Sequence, residues 1–368
     1  MPPLYQFDFG SGAPEPGYMK VTHESLYRED LGYGFTDLSR VASRERGEQG
    51  ALRGGFCIPL GTAFIVNVPS GNYDVALTIG DAIAPTETTV KAGSGRLMLH
   101  KVRTEAGQFT RRSFAVHVHD GRLRLVFSGS APRINALVVT PSPNTTTVFL
   151  VGDSTVTDEA EDNFPYAGWG MMLPHYFKPG VAVANYAKSG RSSKSFHDEG
   201  RLAPVLAAMK PHDYLLIQFG HNDQKTDAER YTDPETTYKE WLKVYVDAAR
   251  EKGAYPILVT SVHRRYFAGD GTLIDTHKEY LTAVRELAAA EGVPLIDLAE
   301  KSRRLFEELG PEATKSVFLW AVPGEYASLP DGAEDNTHFH EQGALRIAAL
   351  VAEGLKELQL LPLMLYMK

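Results

Sequence analysis

The sequence predicts two domains, an antiparallel β-sandwich followed by an α/β domain on a parallel sheet. Three observations carry this. The 368 residues exceed the roughly 100–200 of one ordinary core. Up to about residue 140, short β-rich runs are separated by turn residues, with no amphipathic helical period. Beyond the polar segment 141–147, apolar runs of strand length alternate with helical stretches, the pattern of a parallel sheet covered by helices.

Within residues 1–140 the strand signals include Ala63-Phe64-Ile65-Val66-Asn67-Val68, Tyr73 to Ile79, Arg112 to Val118 and Leu123 to Phe127. They are separated by Pro69-Ser70-Gly71-Asn72, Gly93-Ser94-Gly95 and Asp120-Gly121, whose residue types suit tight turns. The single cysteine, Cys57, excludes an intrachain disulfide, and its neighbours Phe56 and Ile58 mark it as a buried small hydrophobe. Pro141-Ser142-Pro143-Asn144-Thr145-Thr146-Thr147 reads as a linker. Residues 148–368 then supply expected strands at 148–151, 181–186, 214–219, 256–261 and 293–296. Expected helices lie at 234–252, 278–291, 298–309 and 341–358.

In such a sheet the reactive groups belong at the carboxyl ends of the strands. Three motifs fall there. Gly152-Asp153-Ser154-Thr155 follows the first strand, Gly190 lies in the Ser189-Gly190-Arg191-Ser192-Ser193 turn after the second, and Gly220-His221-Asn222-Asp223 follows the third. A serine nucleophile needs a base to take its proton, and an imidazole base needs a carboxylate to hold its tautomer. Asp335-Asn336-Thr337-His338, expected in a loop before the last helix, supplies both within one short turn. Ser154, His338 and Asp335 are thus a candidate triad. The Ser154 and Gly190 N–H groups and the Asn222 side chain are candidate donors to an oxyanion.

Taken together these blocks resemble those of the SGNH (GDSL-type) hydrolases, in the same order, over about residues 148–358. The wording of Gly152-Asp153-Ser154-Thr155-Val156, Ser189 to Phe196, Phe219 to Asp223 and Asp335 to Phe339 is most similar to rhamnogalacturonan acetylesterase-like carbohydrate esterases. That resemblance implies a three-layer α/β/α flavodoxin-like domain. Its implied roles are Ser154 as nucleophile, His338 as base, Asp335 as orienter, and Ser154, Gly190 and Asn222 as the oxyanion hole, with no cofactor. Tyr5 to Gly10 and Gly71 to Val75 resemble the galactose-binding-like sandwich that precedes some bacterial members. Tyr33 and Phe35 read either as exposed ring surfaces of that module or as core anchors.

Around the expected site stand Arg191, Ser192, Lys194, His221 and Trp169 rather than a long apolar stretch. Arg191 and His221 are candidates for substrate contact. A sugar ester with a small acyl group fits this setting better than a long-chain lipid, so an acetylated oligosaccharide or polysaccharide is the expected partner. The alternatives are a broader esterase or lipase acting on short-chain or lysophospholipid esters, and a carbohydrate-binding protein without activity. The intact Ser154, Asp335 and His338 argue against the latter.

Other chemistries have less support. Net charge is −8 with no long basic run, which disfavours nucleic acid. Gly-x-Ser-x-Gly and the phosphate-binding glycine motifs are absent from the sequence. His117-x-His119-Asp120 and His338-x-His340 have metal-like spacing, but no His-Glu-x-x-His accompanies them. No run of about 18 apolar residues offers a membrane span, and residues 1–8 lack a basic and apolar leader, so a cytoplasmic protein is expected. No feature of the sequence assigns an oligomeric state.

Overall fold

Alternation along the early strands becomes two five-stranded sheets around one apolar core in a computed structural model, which describes residues 1–47, 50 and 52–368. The first sheet runs Phe109–Val118, Gly71–Gly80, Ala136–Pro141, Tyr5–Asp8, Met19–Lys20; the second runs Tyr33–Phe35, Thr62–Asn67, Arg122–Ala131, Thr86–Ala92, Arg96–Thr104. Their pairings are antiparallel except that of Tyr5–Asp8 with Met19–Lys20. In Gly71–Gly80, Tyr73, Val75, Leu77 and Ile79 are buried while Asp74, Ala76 and Thr78 are not, because successive side chains of a strand point to opposite faces.

Phe35 is fully buried and Tyr33 packs on the same core, so both are core anchors rather than exposed ring surfaces. Between them Gly34 has φ +144°, and a Cβ there would lie 2.4 Å from the Tyr27 nitrogen. That backbone approach requires glycine. Cys57 is buried, and burial pushes its thiol up to about 12, in keeping with a small hydrophobe.

The chain divides into one unit of residues 1–145 with 177–182 and another of 146–176 with 183–368. Much of the expected linker is strand: Ala136–Pro141 and Thr146–Gly152 leave only residues 142–145 between them. A further five-stranded sheet, in the second unit but for residues 181–182, runs Val181–Asn185, Thr146–Gly152, Tyr214–Gln218, Tyr255–Val259, Leu295–Ile296. From Thr146–Gly152 outward to Leu295–Ile296 the pairs are parallel. Val148, Phe149, Leu150 and Val151 are all buried, as expected of a strand covered on both faces. Strand order reverses at Thr146–Gly152, and such a switch point opens a crevice at the carboxyl ends of the strands.

The helices follow apolar periodicity. Thr237–Glu251 buries Tyr238, Leu242, Tyr245, Val246 and Ala249, spaced to form one face. Leu298–Thr314 is interrupted by Gly310 at φ +72° followed by Pro311, which explains why the helical pattern stops at 309. Glu341–Glu357 is the terminal helix.

A three-stranded sheet, Tyr166–Ala167, Ala333–His340, Phe318–Ala321, escapes the sequence pattern. It corrects one expectation: Asp335 and His338 lie within a strand, not in a loop.

Candidate active site

The strand that carries Asp335 and His338 is bulged. Phe318 pairs with Phe339 and Trp320 with Glu334, so two steps along one strand face five along the other. On a regular strand, residues three apart point to opposite faces. Here the surplus chain folds back on itself: Asp335 Oδ1 accepts the N–H of Thr337 at 2.7 Å and of His338 at 3.0 Å. The carboxylate therefore turns toward the imidazole, and His338 Nδ1 lies 2.7 Å from Asp335 Oδ2. Burial raises the pKa of Asp335, but the hydrogen bonds from His338 and Thr337 outweigh it and hold the carboxyl below its ordinary range.

Asn336, inside the bulge, is anchored from outside. Its carbonyl accepts the Arg265 N–H at 2.8 Å, and its Oδ1 accepts from Arg265 Nη1 at 3.0 Å and Trp320 Nε1 at 3.1 Å. The Arg265 guanidinium also lies over the Trp320 ring at 4.9 Å. These contacts fix the turn that presents His338.

Across the crevice His338 Nε2 lies 2.9 Å from Ser154 Oγ. With an ionised Asp335 accepting from Nδ1–H, the Nε2 lone pair faces the serine hydroxyl, which is the tautomer a general base requires. Ser154 is buried, and the Tyr166 ring meets the His338 ring edge-on at 4.9 Å. Burial, with the Glu159 charge, pushes the Tyr166 hydroxyl upward, so it stays neutral beside the pair.

The serine turn is held from below. Asp153 Oδ1 accepts the Thr155 N–H and hydroxyl at 2.9 and 2.8 Å, and Oδ2 lies 3.2 Å from His221 Nδ1. Burial opposes ionisation of Asp153, but His221 and Thr155 overcome it and lower its pKa. Burial keeps His221 neutral, so its Nδ1–H donates. Trp169 Nε1 donates to Gln218, whose amide donates to the Thr155 hydroxyl. The turn's polar groups are thereby paired without help from solvent.

The two other expected donors lie on neighbouring turns. Gly190 has φ +82°, a left-handed conformation that disfavours other residues. Asn222 Nδ2 donates one hydrogen to the Arg191 carbonyl at 3.1 Å, which ties the third-strand turn to the residue after Gly190. Asp223 is fully enclosed. It accepts the Ser193 N–H and hydroxyl and the Thr232 hydroxyl, and burial pushes its carboxyl up to about 7 despite those donors.

Three expectations change. Arg191 does not present a free guanidinium: it pairs with Glu199 at 3.0 Å and donates to the Ser189 carbonyl. His221 is buried and bonded to Asp153, so it braces the serine turn instead of reaching into the crevice. Trp169 is likewise buried.

The metal-like pairs have other occupations. His117 Nδ1 bonds Asn72 Oδ1 at 2.8 Å, and His340 Nδ1 accepts the Gly343 N–H at the start of the terminal helix.

Several residues of the site were not singled out from the sequence. Asp153 and Asp223 each adjoin a predicted site residue, a signal that was available. Asn336 adjoins Asp335 in the same way, but Tyr166, Arg265 and Trp320 have no such signal, because their parts depend on the small bulged sheet.

Comparison with known proteins places this arrangement. The model of the GDSL-like Lipase/Acylhydrolase family matches residues 150–345. That of the Beta-agarase/YXIM esterase-like, galactose-binding domain-like family matches residues 5–138. Rhamnogalacturonan acetylesterase RhgT of Bacillus subtilis (strain 168) is 50% identical over 213 residues, 58% of this chain and 90% of the relative. The uncharacterized esterase YxiM of the same organism is 32% identical over 375 residues, 96% of this chain and 91% of the relative. A crystal structure of the Bacillus subtilis YxiM protein aligns with a TM-score of 0.54 at 29% identity, covering 97% of this chain and 99% of that one.

Proposed function

Because the chain belongs to the GDSL-like lipase/acylhydrolase family and is a carboxylic ester hydrolase, we propose that it removes acetyl groups from carbohydrate, with acetylated rhamnogalacturonan or its oligosaccharides as the substrate class. The observation that carries the reading is the continuous line from Asp335 through His338 to Ser154, with contacts of 2.7 and 2.9 Å. The substrate class is supported by the relative of 50% identity that bears the name rhamnogalacturonan acetylesterase.

In this reading Ser154 Oγ attacks the acetyl carbonyl carbon as its proton passes to His338 Nε2. Asp335 holds the imidazole by Nδ1 and stabilises the imidazolium that forms. The carbonyl oxygen becomes an oxyanion, met by the N–H groups of Ser154 and Gly190 and the second amide hydrogen of Asn222. Collapse breaks the bond to the sugar oxygen, which takes the proton from His338 and leaves an acetyl-serine. Water then attacks that ester with His338 again as base, releasing acetate and restoring Ser154.

Acetate release from acetylated rhamnogalacturonan, xylan and chitin fragments tests the proposal. Release should be fastest from rhamnogalacturonan and lost in Ser154→Ala. A rate maximum at octanoate or longer in a series of aryl esters favours the lipase reading instead. Failure of the wild-type protein to form an adduct with a serine-directed phosphonate favours a binding protein.

A further inference from the structure

We propose that His263, Asp275 and His277 form a binding site for a divalent transition metal of the zinc class, separate from the serine triad. One ligand atom from each of the three residues lies within 4.8 Å of those of the other two, and His263 Nδ1 is 4.0 Å from an Asp275 carboxylate oxygen. Among the described residues, wholly buried His277 finds a hydrogen-bond partner for neither ring nitrogen, and buried His263 finds none for Nδ1. An unpaired buried polar atom is costly, so native structures rarely leave one without a partner. Two such rings converging beside one carboxylate define a place where a bound cation supplies the missing partner.

The donor set selects the ion. Imidazole nitrogen with one carboxylate suits zinc and its first-row neighbours, whereas calcium and magnesium prefer oxygen throughout. Metal–nitrogen bonds of about 2.0–2.1 Å place tetrahedral ligand atoms roughly 3.3 Å apart, so the three groups close by up to about 1.5 Å on binding. The Asp275 side chain is 46% exposed, which opens the site to solvent. Its Oδ1 accepts the N–H groups of His277 and Lys278, so one turn presents two of the three ligands.

The surroundings bear on affinity. Burial lowers the basicity of His263 and His277, which keeps both imidazoles in the neutral form that ligates. His221 meets His277 edge-on at 4.6 Å, and its Nε2 also lacks a hydrogen-bond partner. Arg264, which donates to Gln224, Thr276 and the His221 carbonyl, opposes a cation, and the ionised Asp153 offsets its charge.

The test uses the untagged full chain, stripped with EDTA, exposed to zinc chloride, passed through a desalting column and assayed for metal and for Tm. Wild type and Ser154→Ala should each retain about one zinc per chain, with Tm rising as free zinc rises, since a ligand that binds only the native state stabilises it. His277→Gln and Asp275→Asn should retain little and lose the Tm response. Asp275→Asn alters a half-exposed side chain, which keeps the test open should His277→Gln not fold. No zinc retained by wild type, or zinc content unchanged in a folded variant, overturns the proposal. Loss of esterase activity does not bear on it, because Ser154→Ala is expected to bind zinc normally.

Discussion

Asp153 and His221 meet at 3.2 Å, and through this one buried contact the turn that carries Ser154 is joined to the turn that carries Asn222. Neither side chain is exposed enough to find water in place of the other. Removing one leaves the other enclosed without its partner.

His221→Ala should therefore cost about 3–5 kcal/mol of stability at pH 7, the usual result of stranding a buried charge. Asp153 has a depressed pKa, so its contribution is present above the ordinary carboxylate range of about 4 and is lost as pH falls through its lower folded value. Urea unfolding of wild type and variant at pH 7 and near pH 3 should show the gap closing in acid. A variant as stable as wild type at pH 7 removes the bracing role.

Replacement of the triad members should be strongly non-additive. Ser154→Ala and His338→Ala should each lower kcat by roughly 10⁶, Asp335→Asn by roughly 10⁴, and the double variant Ser154→Ala/His338→Ala by no more than either single change. Steady-state kinetics on an aryl acetate, with circular dichroism to verify folding, decides it. Additive losses would mean that the two residues do not act on one proton.

Asn222→Ala should lower kcat about 10²–10³-fold with a smaller change in KM, the effect of deleting one oxyanion donor. Arg191→Ala keeps the backbone carbonyl that Asn222 bonds and loses a partly exposed pairing with Glu199, worth under about 1 kcal/mol, and a hydrogen bond to the Ser189 carbonyl. Near wild-type kcat/KM is expected there. A fall beyond about tenfold would return the Arg191 guanidinium to substrate contact.

Asp223 has a folded pKa raised to about 7 against an ordinary value near 4. The folded state thus holds a proton that the unfolded state has released between about pH 4 and 7, and stability falls as pH rises through that window. Asp223→Asn keeps Oδ1 as acceptor for Ser193 and Thr232 while removing the titration. Denaturant midpoints across pH 4–8 should be flatter in the variant than in wild type. Parallel curves would show that Asp223 does not titrate there.

Much of this was legible in the sequence because it depends on local rules. The buried run Val148 to Val151 and the turn after it mark a strand and its carboxyl end, and the periodicity of Thr237–Glu251 marks a helix with one buried face. Asp335 and His338 were legible as a pair by spacing, although the expected loop is a bulged strand. Their being brought together rests on the pairing of Phe318–Ala321 with Ala333–His340, a short sheet with little apolar alternation to announce it.

The sequence by itself determined the strands of the five-stranded parallel sheet in chain order, the placing of Ser154, Gly190 and Asn222 after successive strands, and the chemical types available to the site. Side-chain period and turn propensity are properties of neighbouring residues, so they survive in the linear order. Tertiary structure alone decided that His221 braces Asp153, that Arg191 is occupied by Glu199, and that His263 and His277 converge on Asp275. Those outcomes turn on burial and on distances between residues far apart in the chain, and a histidine or arginine is the same letter whether it faces substrate, a carboxylate or a metal.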